Sequence, residues 1–449
     1  MRPTTSQQGQ MIITVVIFGL IMMIAVSSLV GYTMLQIKSQ RQAVGQTKGL
    51  SIAEAGIEAA VWKLNNQPGY TGETGTSYGG GEYNVTITSI GGSKLIRADA
   101  FVPNAANPVS HRTVQVTTTV GSDQVSFNYG VQVGNGGLEM GQASQVTGNV
   151  YANGTITETS TGATVTGDAV SAQAAGKIDG VAVSGNATAH VIQNTTVGGN
   201  SNSVTLSGTT VTGNAVADSI SNCTINGNAT YDSKSNCTIG GTQIQPNPTN
   251  FSDPPTENFP ISDQQVTDWK NDAAVGGTVG TYTLGQGQSG TLGPKKINGN
   301  LIMGKTATLT ITGTLWVTGY IGIDKDATVA LDASFGNSSG VIIADGIIDL
   351  SKEVNFQRAG ALSYILALTT SNASNAVQVA KSADALIVYA ANGTVDVQKS
   401  STLREVTAYK LKLQKDTDVV YESGLANIYF SSGPGGSWQV LDGTWQLLQ

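Results

Sequence analysis

"TVGGNSNSVTLSGTTVTGNAVADSISNCTINGNATYDSKSNCTIGG", from Thr196 to Gly241, decides the fold. Gly199, Gly213, Gly227 and Gly241 fall fourteen residues apart, and Gly185 upstream keeps the same step. The phrase around them is constant: an apolar residue, any residue, Gly, then Asn. It reads Val197-Gly198-Gly199-Asn200, Val211-Thr212-Gly213-Asn214 and Ile225-Asn226-Gly227-Asn228. Val146-Thr147-Gly148-Asn149, Val165-Thr166-Gly167-Asp168 and Val183-Ser184-Gly185-Asn186 begin it at wider gaps of 19 and 18. A short fixed period with glycine at the corner describes a β-solenoid, one coil per repeat. Gly tolerates the corner's backbone and Asn follows it there. The alternating Val, Ile and Thr form the strands.

The two cysteines of the chain sit inside this register. Cys223 and Cys237 are fourteen apart, each two residues before an apolar position, Ile225 and Ile239. Residues two apart on a strand share a face, so both cysteines point with those isoleucines, about 4.8 Å apart in neighbouring coils. Two readings are open, a disulfide and a buried thiol pair. Parallel register aims both side chains the same way, which favours the thiol pair.

Composition narrows the function classes. The chain has 449 residues, 12% charged, with 56 glycines and a net charge of -7. No basic run exists, which disfavours nucleic acid as a partner, since phosphate contacts need clustered Lys and Arg. A zinc site would need both cysteines together with His111 and His190, which lie in different segments. No metal or cofactor is expected. Neither a Ser-His-Asp or Cys-His arrangement nor a phosphate-binding loop is suggested, and the acidic residues are scattered rather than gathered in a groove. The group Asp324, Lys325, Asp326 reads as a solvated turn. The expectation is a protein without enzymatic activity; a surface β-helix acting on polysaccharide is the alternative from the enzyme class.

The N-terminal part is of another kind. Met11 to Val30, "MIITVVIFGLIMMIAVSSLV", holds no charge. At about 1.5 Å per residue it spans a bilayer core of about 30 Å. Beyond it Leu50, Ala53, Ile57, Ala60, Val61 and Leu64 recur at gaps of three and four, the pattern of an amphipathic helix. One helix is predicted over about 11–65, first apolar and then amphipathic.

With the polar leader that contains Arg2 and ends at Gly9, and with "SIAEAGIEAAVWKLN" at Ser51–Asn65, this region resembles type IV pilin-like proteins, in particular PilX-type minor pilins. The resemblance implies cleavage by a prepilin peptidase after Gly9, leaving Gln10 as the new N-terminus. It also implies association with other pilin subunits through the helix, and an origin in the inner membrane. The family often carries Glu at the fifth mature position; this chain has Thr14.

After the helix, "EYNVTITSI", "KLIRADAFV" and "HRTVQVTTTV" alternate apolar and polar residues and predict a three-stranded antiparallel meander. Between Pro246 and Pro260 stand five of the eleven prolines, an extended linker, followed by a short helix capped by Ser262 and Gln265. Ile297-Asn298-Gly299-Asn300-Leu301 then returns as Ile311-Thr312-Gly313-Thr314-Leu315, which suggests fourteen-residue coils again. Trp438 and Trp445 are read as plugs for the last coil's open core, with sugar binding as the alternative. The Pro-rich linker, the Ala391–Val395 coil and the "GPGGSW" ending resemble PilX-type surface proteins and, distantly, the bactofilin cytoskeletal β-helices.

The resulting expectation is a mainly β protein with a long N-terminal α-helix, a small antiparallel sheet and two β-solenoid segments. The parts are a leader at 1–9, the transmembrane and amphipathic helix at 10–67, the sheet at 68–125, a first solenoid at 126–245, the linker and short helix at 246–285, and a second solenoid with a C-terminal cap at 286–449. The expected function is that of a minor pilin-like surface protein of a type IV pilus-like filament, at its tip. It would display the solenoids for adhesion, with a surface glycan or cell-surface ligand as partner, or for filament assembly. It would be membrane-anchored and exposed on the cell surface or in an extracellular pilus. A plain anchored adhesin is the alternative.

Overall fold

The computed structural model describes every residue except 1–6, 68–69, 91–92, 121, 250, 381–384, 433–437, 442 and 449. The chain divides into two compact units. One comprises residues 1–63, 69–119 and 440–449; the other comprises 64–68 and 120–439.

In the first unit, helix α1 runs from Gln7 to Asn66 without a break, as the two successive patterns predict. Its second half buries Ile52, Ala53, Ile57 and Ala60, four residues at helical spacing. Gly45, Gly49 and Gly56 lie on the same stripe and are buried too. The stripe covers an antiparallel sheet of β1 (Gly72–Tyr78), β2 (Gly81–Ile90), β3 (Ser93–Val102) and β4 (Ser110–Val120). The three-stranded meander is present with its register, Ile87 opposite Ile96 and Ile96 opposite Val116. The sheet's inner face is Tyr83, Val85, Ile96, Ala98, Ala100, Val114 and Val116. A methyl on Gly56 would come within 3.1 Å of the Tyr83 ring, so the missing side chain lets the helix approach closely. Strands at both edges of the sheet were not foreseen. β1, "GETGTSY", lacks apolar alternation. At the other edge Gln446–Leu447 pairs with β4, Leu447 opposite Val114. The C-terminal residues thus extend this sheet instead of capping a solenoid, and Trp445 is exposed.

The second unit is a parallel β-solenoid. Val146, Val165, Val183, Val197, Val211 and Ile225 stack in one column, paired coil to coil and buried, as the repeat predicts. The other coil stretch, Thr278 to Val420, is built on a different period. Ile297 pairs with Val317, Leu301 with Ile321, and Ile311 with Leu292 and Leu331. The fourteen-residue return of Ile297–Leu301 at Ile311–Leu315 is therefore not the coil repeat. Both phrases are glycine corners, and a larger coil passes two such corners in one turn.

The two stretches form one stack. Strand Glu405–Leu413 pairs in parallel with Val131–Met140, and Asp418–Val420 with Gln145–Thr147, so the last coil of one lies on the first coil of the other. The chain enters this stack at its middle. It builds outward to Gln243–Ile244, returns, and builds inward from Thr278 to the same middle. The entering strand Ser122–Val125 and the departing strand Ile428–Ser431 pair antiparallel beside that joint.

The proline-rich stretch makes the return, and it is fastened along the way. Gln173 donates its backbone N–H to Pro254 at 2.9 Å, Asn153 and Glu257 exchange two bonds at 2.8 and 2.9 Å, and Gln132 donates to the Asn258 carbonyl at 2.9 Å. Helix α2, Asp263–Val275, follows with the expected capping box at Ser262 and Gln265. It buries Val266 and Trp269 in a second apolar layer with Val341, Ile343, Leu366, Leu368, Ile387 and Phe430. The strands Gly340–Ala344 and Ile365–Thr369 are buried on both faces, which their unbroken apolar runs reflect.

Candidate functional site

The stem is the first candidate. From Ile12 to Ile37 every side chain is exposed in the single chain, including Ile17, Phe18, Met22, Ile24 and Leu29. An 18-residue window reaches a mean hydropathy of 2.7, so the helix is long and apolar enough to cross a membrane. A helix apolar on all sides is stable in water only when covered, by lipid or by other helices. The Thr33 hydroxyl is satisfied within the helix, donating to the Leu29 and Val30 carbonyls at 3.0 and 2.9 Å. Gly9 and Gln10 lie in the first turns of α1, Thr14 is exposed one turn on, and residues 1–6 of the leader lie outside the described residues. Where the stem meets its sheet, burial works against the charge of Glu73. Lys63 at 2.5 Å, with Tyr70 and Thr76, outweighs that and holds the carboxyl below its ordinary range.

The cysteines require a correction. Cys223 and Cys237 stand opposite each other in register, with Cα atoms 4.5 Å apart, and their sulfurs are joined as a disulfide rather than stacked as free thiols. That Cα separation is at the short end of the range a disulfide can span, so a difference in rotamer suffices where parallel direction argued against the bond. Their placement gives the bond a role. Cys237 belongs to Ser233–Ile239, whose side chains are mostly exposed, while Cys223 belongs to a well-buried coil. The bond staples the outermost coil to the one beneath it.

The joint between the two stretches carries features that no motif announced. Lys410 meets Glu139 at 2.6 Å, and Asp396, Lys412 and Glu139 stand in one row across three strands, alternating in sign. Glu405, at the same joint, is 1% exposed. Thr407 donates to its Oε1 at 2.7 Å, and Oε2 has no hydrogen-bond partner. Burial pushes this carboxyl well above its ordinary range, which favours its protonated form. Burial, with Glu405 beside it, also raises the Tyr389 hydroxyl, which donates to the Ile261 carbonyl at 2.7 Å. An alternating sequence offers no sign of this, because the groups around Glu405, among them Ile387 and Tyr389, come from another coil.

The histidines belong to different units. His111 stacks on Phe101 at 4.5 Å and lies 3.3 Å from Asp99 in the small sheet. His190 Nδ1 lies 2.9 Å from Asp253 of the strap. Among the described residues, no group of His, Cys, Asp and Glu is placed to hold a metal ion. Asp324, Lys325 and Asp326 form an exposed turn, with Asp326 at φ 61°.

No protein-family model and no curated protein matches the chain. Among solved structures the chain is similar to the competence-associated pilin ComZ from Thermus thermophilus. The identity is 12%, over 90% of this chain and 96% of that one, with a TM-score of 0.19. At that score the likeness carries no weight for fold or function. What stands on this chain's own residues is an apolar stem, a glycine-lined seam closing it on an antiparallel sheet, and a solenoid with a strapped second layer.

Proposed function

We propose that the chain is a minor pilin-like subunit of a type IV pilus-like filament, seated at the filament tip, which displays the solenoid for adhesion or filament assembly. The role is structural and not catalytic. The observation that carries the reading is the stem: an uncovered, predominantly apolar helix segment continuous with a seam of Gly45, Gly49, Gly56 and Ala residues that closes on an antiparallel sheet. Such a helix calls first for a membrane and then for the helices of neighbouring subunits. Prepilin peptidase cleavage after Gly9 would free Gln10 as the mature N-terminus.

The tip position is supported by Thr14. A carboxylate at the fifth mature position would be costly in an apolar bundle without a neighbour's ammonium, whereas a threonine has no such need. The bulk of the solenoid unit, 320 residues from Val120 to Gln439, would be hard to repeat at every step of a narrow shaft. Gold-labelled antibody against residues 290–449 tests the placement. Label confined to filament ends is the expected result, and even labelling along shafts would overturn the tip position. Label only on filament-free membrane would favour a plain anchored adhesin. N-terminal sequencing of the membrane form should begin at Gln10, and a retained Arg2 would refute processing.

A further inference from the structure

We propose that the solenoid carries a binding groove for a neutral glycan chain, formed by Asp345, Thr370, Ser371, Asn372, Asn392 and Tyr409. The proposal names the ligand class for the display reading above. The groove is open, has a volume of about 610 Å³, and its wall is mostly polar.

The fold builds it from one corner repeated in successive coils. Ala344 pairs with Thr369, Leu368 with Tyr389, and Ala390 with Ala408. Asp345 and Thr370 follow the first of these pairs directly. Asn392 and Tyr409 lie in the register shift after the last. The lining therefore rises one step per coil, about 4.8 Å each time. That step is close to the length of one sugar ring, so a glycan laid along the solenoid axis would meet one coil's lining per sugar residue.

The chemistry of the lining selects among ligands. Among the described residues, the amides of Asn372 and Asn392 and the hydroxyl of Tyr409 have no hydrogen-bond partner, and all three residues are exposed. An amide presents donor and acceptor side by side, which suits vicinal hydroxyls. Tyr409 supplies an aromatic surface for the C–H face of a sugar. Its ring rests where the next coil has Gly136; a Cβ there would lie 2.9 Å from Tyr409 Cε1, so the ring is seated by the absence of a side chain.

Charge is spent within the wall. Asp345 accepts from Lys270 at 2.6 Å, from Trp316 Nε1 at 2.9 Å and from Thr370 at 3.2 Å. Its carboxylate is neutralised and oriented, and no unpaired cation lines the groove to draw in an acidic polymer. An open groove of this kind binds weakly, because little of the ligand is desolvated.

The test uses the full-length protein in a zwitterionic detergent without a sugar headgroup. Titration calorimetry with cellohexaose and chitohexaose serves as the neutral probe, and oligogalacturonate as the acidic one. The expected result is saturable binding to at least one neutral probe, with Kd on the order of 0.1–1 mM. Tyr409→Ala should weaken it about tenfold and Asn392→Ala about fivefold, the loss of one stacking contact and one pair of hydrogen bonds. Tyr320→Ala, which removes an exposed aromatic outside the groove, should leave it unchanged. No binding up to about 10 mM, equal binding by all variants, or a preference for the acidic probe would each overturn the proposal. Tip labelling with no sugar binding would leave the filament reading standing alone. Sugar binding with shaft labelling would do the reverse.

Discussion

The solenoid's two halves solve the same problem with different means. In the half from Val131 to Ile244 the later coils take fourteen residues, and the inward positions are small: Ala187, Ala189, Ala215, Ala217 and Ala229 stand among the valines. So short a turn encloses little volume, and each coil buries little apolar surface. A row of side chains along one corner compensates. Asn149, Asp168, Asn186, Asn200, Asn214 and Asn228 each accept the backbone N–H of the residue one coil on, at 2.7 to 2.9 Å. The half from Thr278 to Val420 has longer coils, fills them with Leu and Ile, and adds a second apolar layer under α2. Circumference thus decides the currency of stability, hydrogen bonds in the thin half and buried area in the thick one.

Leu366→Ala should have the largest effect. Leu366 is fully buried in the second layer, and such truncations cost about 2–5 kcal/mol. Denaturant unfolding should show the loss. A cost under about 1 kcal/mol, the size of a partly exposed truncation, would mean the layer under α2 is loosely packed and the comparison fails.

The disulfide comes next. Closing a loop of this size contributes about 3 kcal/mol, and the bond joins residues fourteen apart in the thin half. Cys223→Ser with Cys237→Ser, or a reductant, should speed amide exchange in 233–244 while leaving 278–420 unchanged. Equal loosening in both halves would show that the stack unfolds as one unit and that the halves are not independently held.

Glu405 tests the joint between them. Its folded carboxyl keeps a proton that the unfolded one releases above its ordinary value of 4.5. The folded state therefore binds more protons, and stability falls as pH rises from that value toward the raised one. Glu405→Gln keeps the shape and the neutral form, so it should stabilise the protein by about 1–3 kcal/mol at pH 8 and do little at pH 4. Melting curves across that range would check it; a variant less stable than the parent at pH 8 would mean the carboxylate has a cationic partner there.

How much of this was legible follows from the same contrast. From Val183 onward the thin half's coil length is constant, so the glycine register could be read directly and placed Val183 through Ile225 in their column. In the thick half the coil length changes from one turn to the next, and the two copies of the Ile-x-Gly phrase at 297 and 311 suggested a period the chain does not have. The double burial of Val341 to Ala344 was visible as an apolar run, but its cover, α2, lies far off in sequence. The joint was invisible, since nothing local tells Glu405–Leu413 to stack on Val131–Met140. The groove was hidden too: Asn392 and Tyr409 look like ordinary turn and strand residues until successive coils place them together. The cysteines were located by the repeat, but their bonding depended on a separation of 4.5 Å that the repeat alone does not fix.

The smallest predicted effect tests the ladder itself. Asn200 Oδ1 accepts from the Asn214 N–H at 2.9 Å, and its own N–H donates to Asn186 Oδ1 at 2.9 Å. Both side chains are exposed, so water can replace a lost bond and the net cost of Asn200→Ala should be about 0.5–1.5 kcal/mol. Asn200→Asp keeps the acceptor, and Asp168 already fills the same rung with a carboxylate, accepting from Asn186 at 2.7 Å. It should therefore cost less than the alanine. If neighbouring rungs strengthen one another, each single loss already includes their coupling, so a double substitution of Asn200 and Asn214 should cost less than the two single losses together. Simple additivity would mean that each rung acts alone, and that the small apolar core of the thin half, not the ladder, keeps its coils in register.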